Sequence, residues 1–374
     1  MTVTNGMFSQ GIFSGSIIES TWSAQRRDLR LALRCLVVAL SSMTAIATAN
    51  SCSFSTSMAS TDGAAKASIL GVNESRSGIS LQEEKWNINS LPAEAIQAMD
   101  KIYGGDPEAA TLIARTLQRK RPDHPLGYLL EGQARWWKVY CDACEIKDGM
   151  VEAWKRNKES DDDGFLELDD KVISTAEAQL AKSDTAEMHV YAGIGWNLKA
   201  RLYLLRGESR NLARASLYSR AHAIRALELD PQMADATTLL GLYNYYVDAL
   251  SPFVKMLRVL VGIPGGDKAT GLKQMETGMN QGVFLAVDIR FVLARLLRQY
   301  DQKYEQALSD VEPLVKRYPN NPLFLLLAGN LNAELGRNAV ASEYFHSALQ
   351  SDVHDSACAT RVRDIANSFL ASIH

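Results

Sequence analysis

The chain is short of the patterns that carry chemistry or a strong electrostatic address. Its 374 residues hold 40 basic and 43 acidic side chains, a formal net charge of −3, with both signs mixed along the sequence. Without a basic face there is no footprint for nucleic acid, so no nucleic-acid partner is expected. Cysteines number five and histidines six. Cys141-Asp142-Ala143-Cys144 has redox or zinc spacing, but zinc needs four ligands, and no second Cys-x-x-Cys or His-x-x-x-His accompanies it. Cys358 and His189 stand alone in sequence, and Glu145 takes the place of the histidine that c-type haem attachment needs. A local disulfide or two packed thiols is therefore the expectation for the Cys141/Cys144 pair. No stretch alternates apolar and polar residues between hairpin turns, which argues against a sheet. The segment from Gly262 to Lys268 is glycine-rich but lacks the spacing of a phosphate loop, and it reads as a turn with Asp267 capping the next helix. No Ser-His-Asp or Cys-His set can be assembled, so nothing signals catalysis, and neither cofactor nor metal is expected.

What is present begins with an address. Arg26, Arg27, Arg30 and Arg34 precede an uncharged run, Cys35 to Ala49, that ends in Ala47-Thr48-Ala49. A basic region, an apolar stretch too short for the roughly 20 residues of a membrane span, and a small-x-small ending suit a cleaved export signal. The expected organisation is a signal peptide at 1–49, a Ser- and Ala-rich disordered linker at 50–88, and a helical-repeat domain at 89–374. The protein would then be exported to the periplasm or cell envelope. The alternative is a membrane anchor formed by residues 35–49.

Beyond the linker the periodicity is helical almost throughout. The helices are expected at Pro92–Gly104, Asp106–Arg121, Leu126–Cys141, Met150–Lys158, Asp170–Lys182, Thr185–Arg206, Ser209–Leu229 and Gln232–Leu250. They continue at Pro252–Val261, Lys268–Gln281, Leu285–Tyr300, Lys303–Tyr318, Pro322–Leu335, Asn338–Leu349 and Ala357–Ile373. At 47% hydrophobic residues the chain can bury a large core.

A frame runs through these helices. Pro122, Pro231 and Pro319 are each followed ten residues later by glycine, at Gly132, Gly241 and Gly329. The proline stops one helix, and the small residue lets the next pack closely. Ala307, Val311 and Leu314 recur 34 residues on as Ala341, Phe345 and Ala348. This pattern resembles the tetratricopeptide-repeat family, as do Leu240-Gly241 with Tyr243, the segment His222–Pro231, and the segment Arg337–Leu349. Residues Gly241–Glu276 also look like the middle of the eukaryotic inclusion-clearance tetratricopeptide proteins and of uncharacterised exported bacterial repeat proteins.

The resemblance implies an all-α, tetratricopeptide-like α-solenoid of antiparallel helix pairs with irregular insertions. It further implies a non-enzymatic protein–protein interaction or scaffold role, with a partner segment held in a concave groove. In that family, residues one, four and five after the glycine of each first helix face the groove. Those positions are Gln133, Trp136 and Trp137, then Leu242, Tyr245 and Tyr246, then Asn330, Ala333 and Glu334. The alternative is that these aromatics pack between repeats. A rival function is a metal-dependent or redox module using Cys141 and Cys144 or the acidic segment Glu159–Asp170. That segment resembles a calcium loop turning at Gly164, with Glu159 and Asp170 as imperfect ends.

Overall fold

The computed structural model describes residues 90–147, 149–250, 255 and 262–373. The export signal, the linker and nearly all of the helix expected at 252–261 lie outside the described residues. The chain divides into two units. Residues 1–83 and 251–264 form one, of which Lys255 and the turn at Gly262–Pro264 are described; residues 84–250 and 265–374 form the other.

Among the described residues the second unit is almost wholly α-helical. Its helices are α1 (Ala93–Tyr103), α2 (Pro107–Lys120), α3 (Leu126–Asp142), α4 (Asp162–Leu180), α5 (Ala186–Arg206), α6 (Ser209–Leu229) and α7 (Ala234–Asp248). After them come α8 (Lys268–Gln281), α9 (Ala286–Leu296), α10 (Tyr304–Arg317), α11 (Pro322–Glu334), α12 (Asn338–Leu349) and α13 (Ser356–Ser372). The starts are set by local chemistry. Asp106, Thr185, Asp267, Asn321 and Asp355 each accept a backbone amide of the following turn, which satisfies donors that a helix leaves unpaired.

Each helix packs on its sequence neighbours, and a second tier of contacts joins alternate helices, α1 to α3, α3 to α5 and α5 to α7. The glycines of the proline frame explain how neighbours come close. A methyl placed at Gly241 would lie 2.9 Å from the Gly271 carbonyl oxygen and the Met275 amide nitrogen, so α7 and α8 meet backbone to backbone. At Gly329 the added methyl would strike the Phe345 ring at 2.6 Å. At Gly132 it would meet the Asp169 carboxyl at 3.0 Å.

Three expectations change. Residues 144–153 form an antiparallel hairpin, β1 (Cys144–Lys147) with β2 (Met150–Ala153), in the register Lys147↔Met150, where a helix from Met150 and no sheet were expected. The turn sequence Asp148-Gly149, with Gly149 at φ 74°, is the pair that two-residue hairpins favour. The helix expected from Asp170 begins instead at Asp162 and absorbs most of the supposed calcium loop. The helix expected through Tyr300 leaves α-geometry at Leu297, continues as a π-helical turn to Asp301, and stops at Gln302 with φ 52°.

The chain also returns on itself. Helix α13 packs against α3 and α11, and Cys141 at the end of α3 is bonded to Cys358 on α13, 217 residues away. Cys141 therefore does not pair locally with Cys144, and Cys358 is not a lone thiol. Cys144 is free and buried, with its Sγ donating to the Tyr140 carbonyl at 3.1 Å.

Two measurements follow from this packing. Gly241→Ala should lower stability by about 1–3 kcal/mol in urea unfolding, because backbone cannot move aside as a side chain can. Gly164→Ala, in a helical turn where the added methyl finds only ordinary contact with Arg135 at 3.5 Å, should be neutral or gain up to about 1 kcal/mol. Unreduced peptide mapping should recover a Cys141–Cys358 cross-link, and Cys358→Ser should cost about 2–4 kcal/mol.

Candidate partner-binding site

The first helices of the pairs meet at a buried polar corner. Asp235 on α7, fully buried, accepts the backbone amides of Val283 (3.0 Å), Phe284 (3.2 Å) and Leu285 (2.9 Å) at the start of α9. The Phe284 carbonyl in turn accepts the Tyr103 hydroxyl of α1 at 3.0 Å and the Gln133 amide of α3 at 3.3 Å. Asp288 lies 3.2 Å from the Tyr103 hydroxyl, and burial pushes its carboxyl up from the usual range. One carbonyl and one carboxylate thus tie α1, α3, α7 and α9 together. The corner is also aromatic: Trp137 packs edge-on against Tyr103 and Phe324 and lies 5.5 Å from Phe291.

This closure decides where the expected groove residues lie. Gln133, Trp137, Leu242, Tyr245 and Asn330 are all buried. Gln133 and Trp137 serve the corner, whereas Leu242 and Tyr245 belong to a smaller apolar cluster with Met275, Ile289, Leu293 and Leu296. Asn330 and Glu334 hold the hairpin. The Gly149 carbonyl at its tip accepts from Asn330 Nδ2 (2.8 Å) and from Arg298 Nη2 (2.9 Å). Arg298 also donates to Asn330 Oδ1 at 2.8 Å and pairs with Glu334. Two strands of the chain itself therefore lie against α3, α11 and α13.

Trp136 and Tyr246 behave differently. Trp136 is half-buried, and Tyr246 is 41% exposed. Even so, desolvation is the leading cause that holds the Tyr246 hydroxyl above its ordinary value, with Arg295 and Arg201 pulling it back. Beside it runs a strip of which the proline frame finds only Trp136. Arg201 of α5 lies over the Trp136 ring at 5.8 Å, Trp136 meets Tyr140 at 6.1 Å, and Arg295 of α9 lies over the Tyr140 ring at 5.4 Å. Neither α5 nor α9 follows a proline at the required distance. The signal available was Ala-Arg-Leu, present at 200–202 and again at 294–296.

The acidic segment and the isolated histidine have other partners. Asp162 accepts from Nε and Nη2 of the Arg206 guanidinium, each at 2.7 Å, deep in the protein. Asp163 pairs with Lys158, and Asp170 with Lys199. Asp169 is fully buried, neither oxygen has a hydrogen-bond partner, and burial holds its carboxyl well above the usual range. Successive residues of a helix point around its circumference, so these carboxylates do not converge on one ion. Among the described residues no group of three or more His, Cys, Asp or Glu is placed to hold a metal. Burial pushes the Cys144 thiol up to about 12, which disfavours the thiolate. His189 is not alone: its Nδ1 faces His222 Nδ1 at 2.8 Å and its Nε2 faces Asp184 Oδ1 at 2.7 Å.

Compared with known proteins, the chain matches no family model and no curated relative.

The histidine pair gives a pH test. Burial holds both imidazoles below their ordinary value, and His222, with His189 beside it, falls to about 3. The unfolded chain takes up protons near pH 6.5, so between that pH and about 3 it binds more protons than the folded chain. The contribution is complete above pH 6.5 and is lost as pH falls. Urea midpoints should therefore drop from pH 7 to pH 4.5, and His222→Gln should shallow that drop; an unchanged slope in the variant would remove the pair as its cause.

Proposed function

We propose that the protein is a non-enzymatic binding or scaffold protein of the cell envelope, a tetratricopeptide-like solenoid that holds an extended partner segment along the faces of its first helices. Several observations support this. The Pro–Gly frame and its close-packed glycines follow the logic of that repeat family. The Cys141–Cys358 disulfide suits an oxidising compartment and agrees with the export signal expected at 1–49. Of the residues in the rival reading, Cys141 is in the disulfide, Asp162, Asp163 and Asp170 are in ion pairs, and Cys144 and Asp169 are buried.

The observation that carries the proposal is the hairpin. The faces of α3 and α11 already hold an extended segment, residues 144–153, whose tip carbonyl is gripped by Asn330 and Arg298. Side chains on first helices that grip a backbone carbonyl are the means by which such a face would hold a partner. The hairpin leaves Tyr246 exposed, and Trp136 partly so. The partner is therefore assigned to the neighbourhood of α5, α7 and α9, with Tyr246 as its aromatic anchor and Trp136 beside it.

Two alanine variants separate anchor from core. Tyr246→Ala should leave the melting temperature near that of the parent while capture of partner from envelope extract falls by about tenfold or more, as expected when a hot-spot aromatic is truncated. Trp137→Ala should instead open a cavity and cost about 3–5 kcal/mol of stability. Undiminished capture by Tyr246→Ala would refute the assignment.

A further inference from the structure

The six histidines are scattered in sequence, yet the fold brings two of them nitrogen to nitrogen. His189 lies near the start of α5 and His222 on α6, 33 residues on, and their Nδ1 atoms face each other at 2.8 Å. The ring centroids are 5.1 Å apart and the planes are inclined by 45°, so the pair meets through its nitrogens and does not stack.

The surroundings of the pair are built. His189 Nε2 lies 2.7 Å from Asp184 Oδ1, and the second oxygen of Asp184 accepts from Arg225 Nε at 3.0 Å and Nη2 at 2.5 Å. Arg225 is neutralised a second time by Glu228 at 2.8 Å. An ionised carboxylate only accepts hydrogen bonds, so His189 carries its proton on Nε2 and turns a lone pair from Nδ1 toward His222. A histidine with one nitrogen held by a carboxylate and the other left as a donor is the arrangement in which imidazole ligates metals, because the carboxylate fixes the tautomer and raises basicity. Burial holds both rings below their ordinary value, so they are neutral at pH 7, as ligation requires. His222 is partly exposed and the Asp184 side chain is 46% exposed, so the pair borders solvent.

We propose that His189 and His222 form a binding site for a divalent transition metal of the Zn2+ class, ligated by the two Nδ1 atoms with water in the remaining positions. The site is separate from the partner-binding reading above and does not rest on it. Metal–imidazole bonds of about 2.0–2.1 Å set two nitrogens about 2.9 Å apart at a right angle and about 3.4 Å apart at the tetrahedral angle. Small rotations of the two rings from 2.8 Å therefore admit the ion. His222 changes to its Nε2–H tautomer, and the metal takes the place of the proton that the facing nitrogens share. Imidazole donors select Cu2+, Ni2+ and Zn2+ over Mg2+ and Ca2+, which prefer oxygen. Asp184 is a positioning residue: it touches His189 and not the ion. Bound metal clips α5 to α6.

The untagged full-length chain tests the site. Calorimetric titration with Zn2+ should show one saturable equivalent that Mg2+ does not produce, and Zn2+ should raise the melting temperature reversibly to EDTA. Nitrogen NMR should show both Nδ1 resonances move on addition of Zn2+. His189→Gln and His222→Gln should each abolish the equivalent, and glutamine can keep a hydrogen bond between the helices, so either variant serves if the other folds poorly. Asp184→Asn should weaken Zn2+ binding about tenfold or more without changing the melting temperature of the metal-free chain. His354→Gln, whose ring lies 3.7 Å from Asp352, should leave binding intact. No saturable equivalent, or one that survives both His189→Gln and His222→Gln, overturns the site.

Discussion

The arrangement depends on one buried carboxylate. Asp235 collects three consecutive backbone amides at the entry to α9, and the peptide it fixes presents the Phe284 carbonyl to Tyr103 and Gln133. A buried acid is costly unless hydrogen-bonded, and here the donors are backbone groups that would otherwise be orphans at a helix start. The bonds span 48 to 181 residues of sequence and couple α1 and α3 to α7 and α9. The disulfide from α3 to α13 and the edge-on contacts of Trp137 with Tyr103 and Phe324 act in the same direction. Helices that would otherwise contact only their neighbours are drawn together.

That closure is why residues expected to face a partner face the chain instead. Position one after Gly132 is Gln133, and position five is Trp137; both are absorbed by the corner. Positions one and five after Gly329 are Asn330 and Glu334, which grip the hairpin tip through Arg298. Of the residues in the repeat frame, Asn330 does bond extended backbone, but that backbone is the chain's own hairpin. Only around α7 does the frame leave an aromatic, Tyr246, open to solvent.

Local features were legible because local chemistry produced them. Asp106-Pro107, Thr185 and Asp267 announce their helices, and the glycines of the proline frame announce close packing; each lies where the sequence placed it. The hairpin was equally local, in Asp148-Gly149 between Cys144–Lys147 and Met150–Ala153, but its strands are too short for alternation to stand out. What the sequence could not yield was long-range. Nothing local directs Cys141 past Cys144 to Cys358, and nothing pairs His189 with His222. The arginine strip needs α3, α5 and α9 together, and a frame keyed to proline passes over the two helices that carry it.

The packing of α7 on α8 bears on why the open site falls there. Gly241 and Gly271 bring the two backbones into direct contact, and Tyr245 is buried in the small cluster they share with α9. With backbone against backbone at these glycines, α7 has little freedom to shift or roll. Tyr246, the next residue and in edge-on contact with Tyr245 at 5.5 Å, is therefore presented from a stiff platform. Arg295 is fixed in the same way, with its stem on α9 and its guanidinium over Tyr140 and Phe291. Immobilising a long side chain on binding costs about 0.5–1.5 kcal/mol, and groups already held in place escape much of that cost. The glycines that close one side of α7 thus stiffen the platform that presents Tyr246 on the other, which links backbone packing to the recognition proposed there.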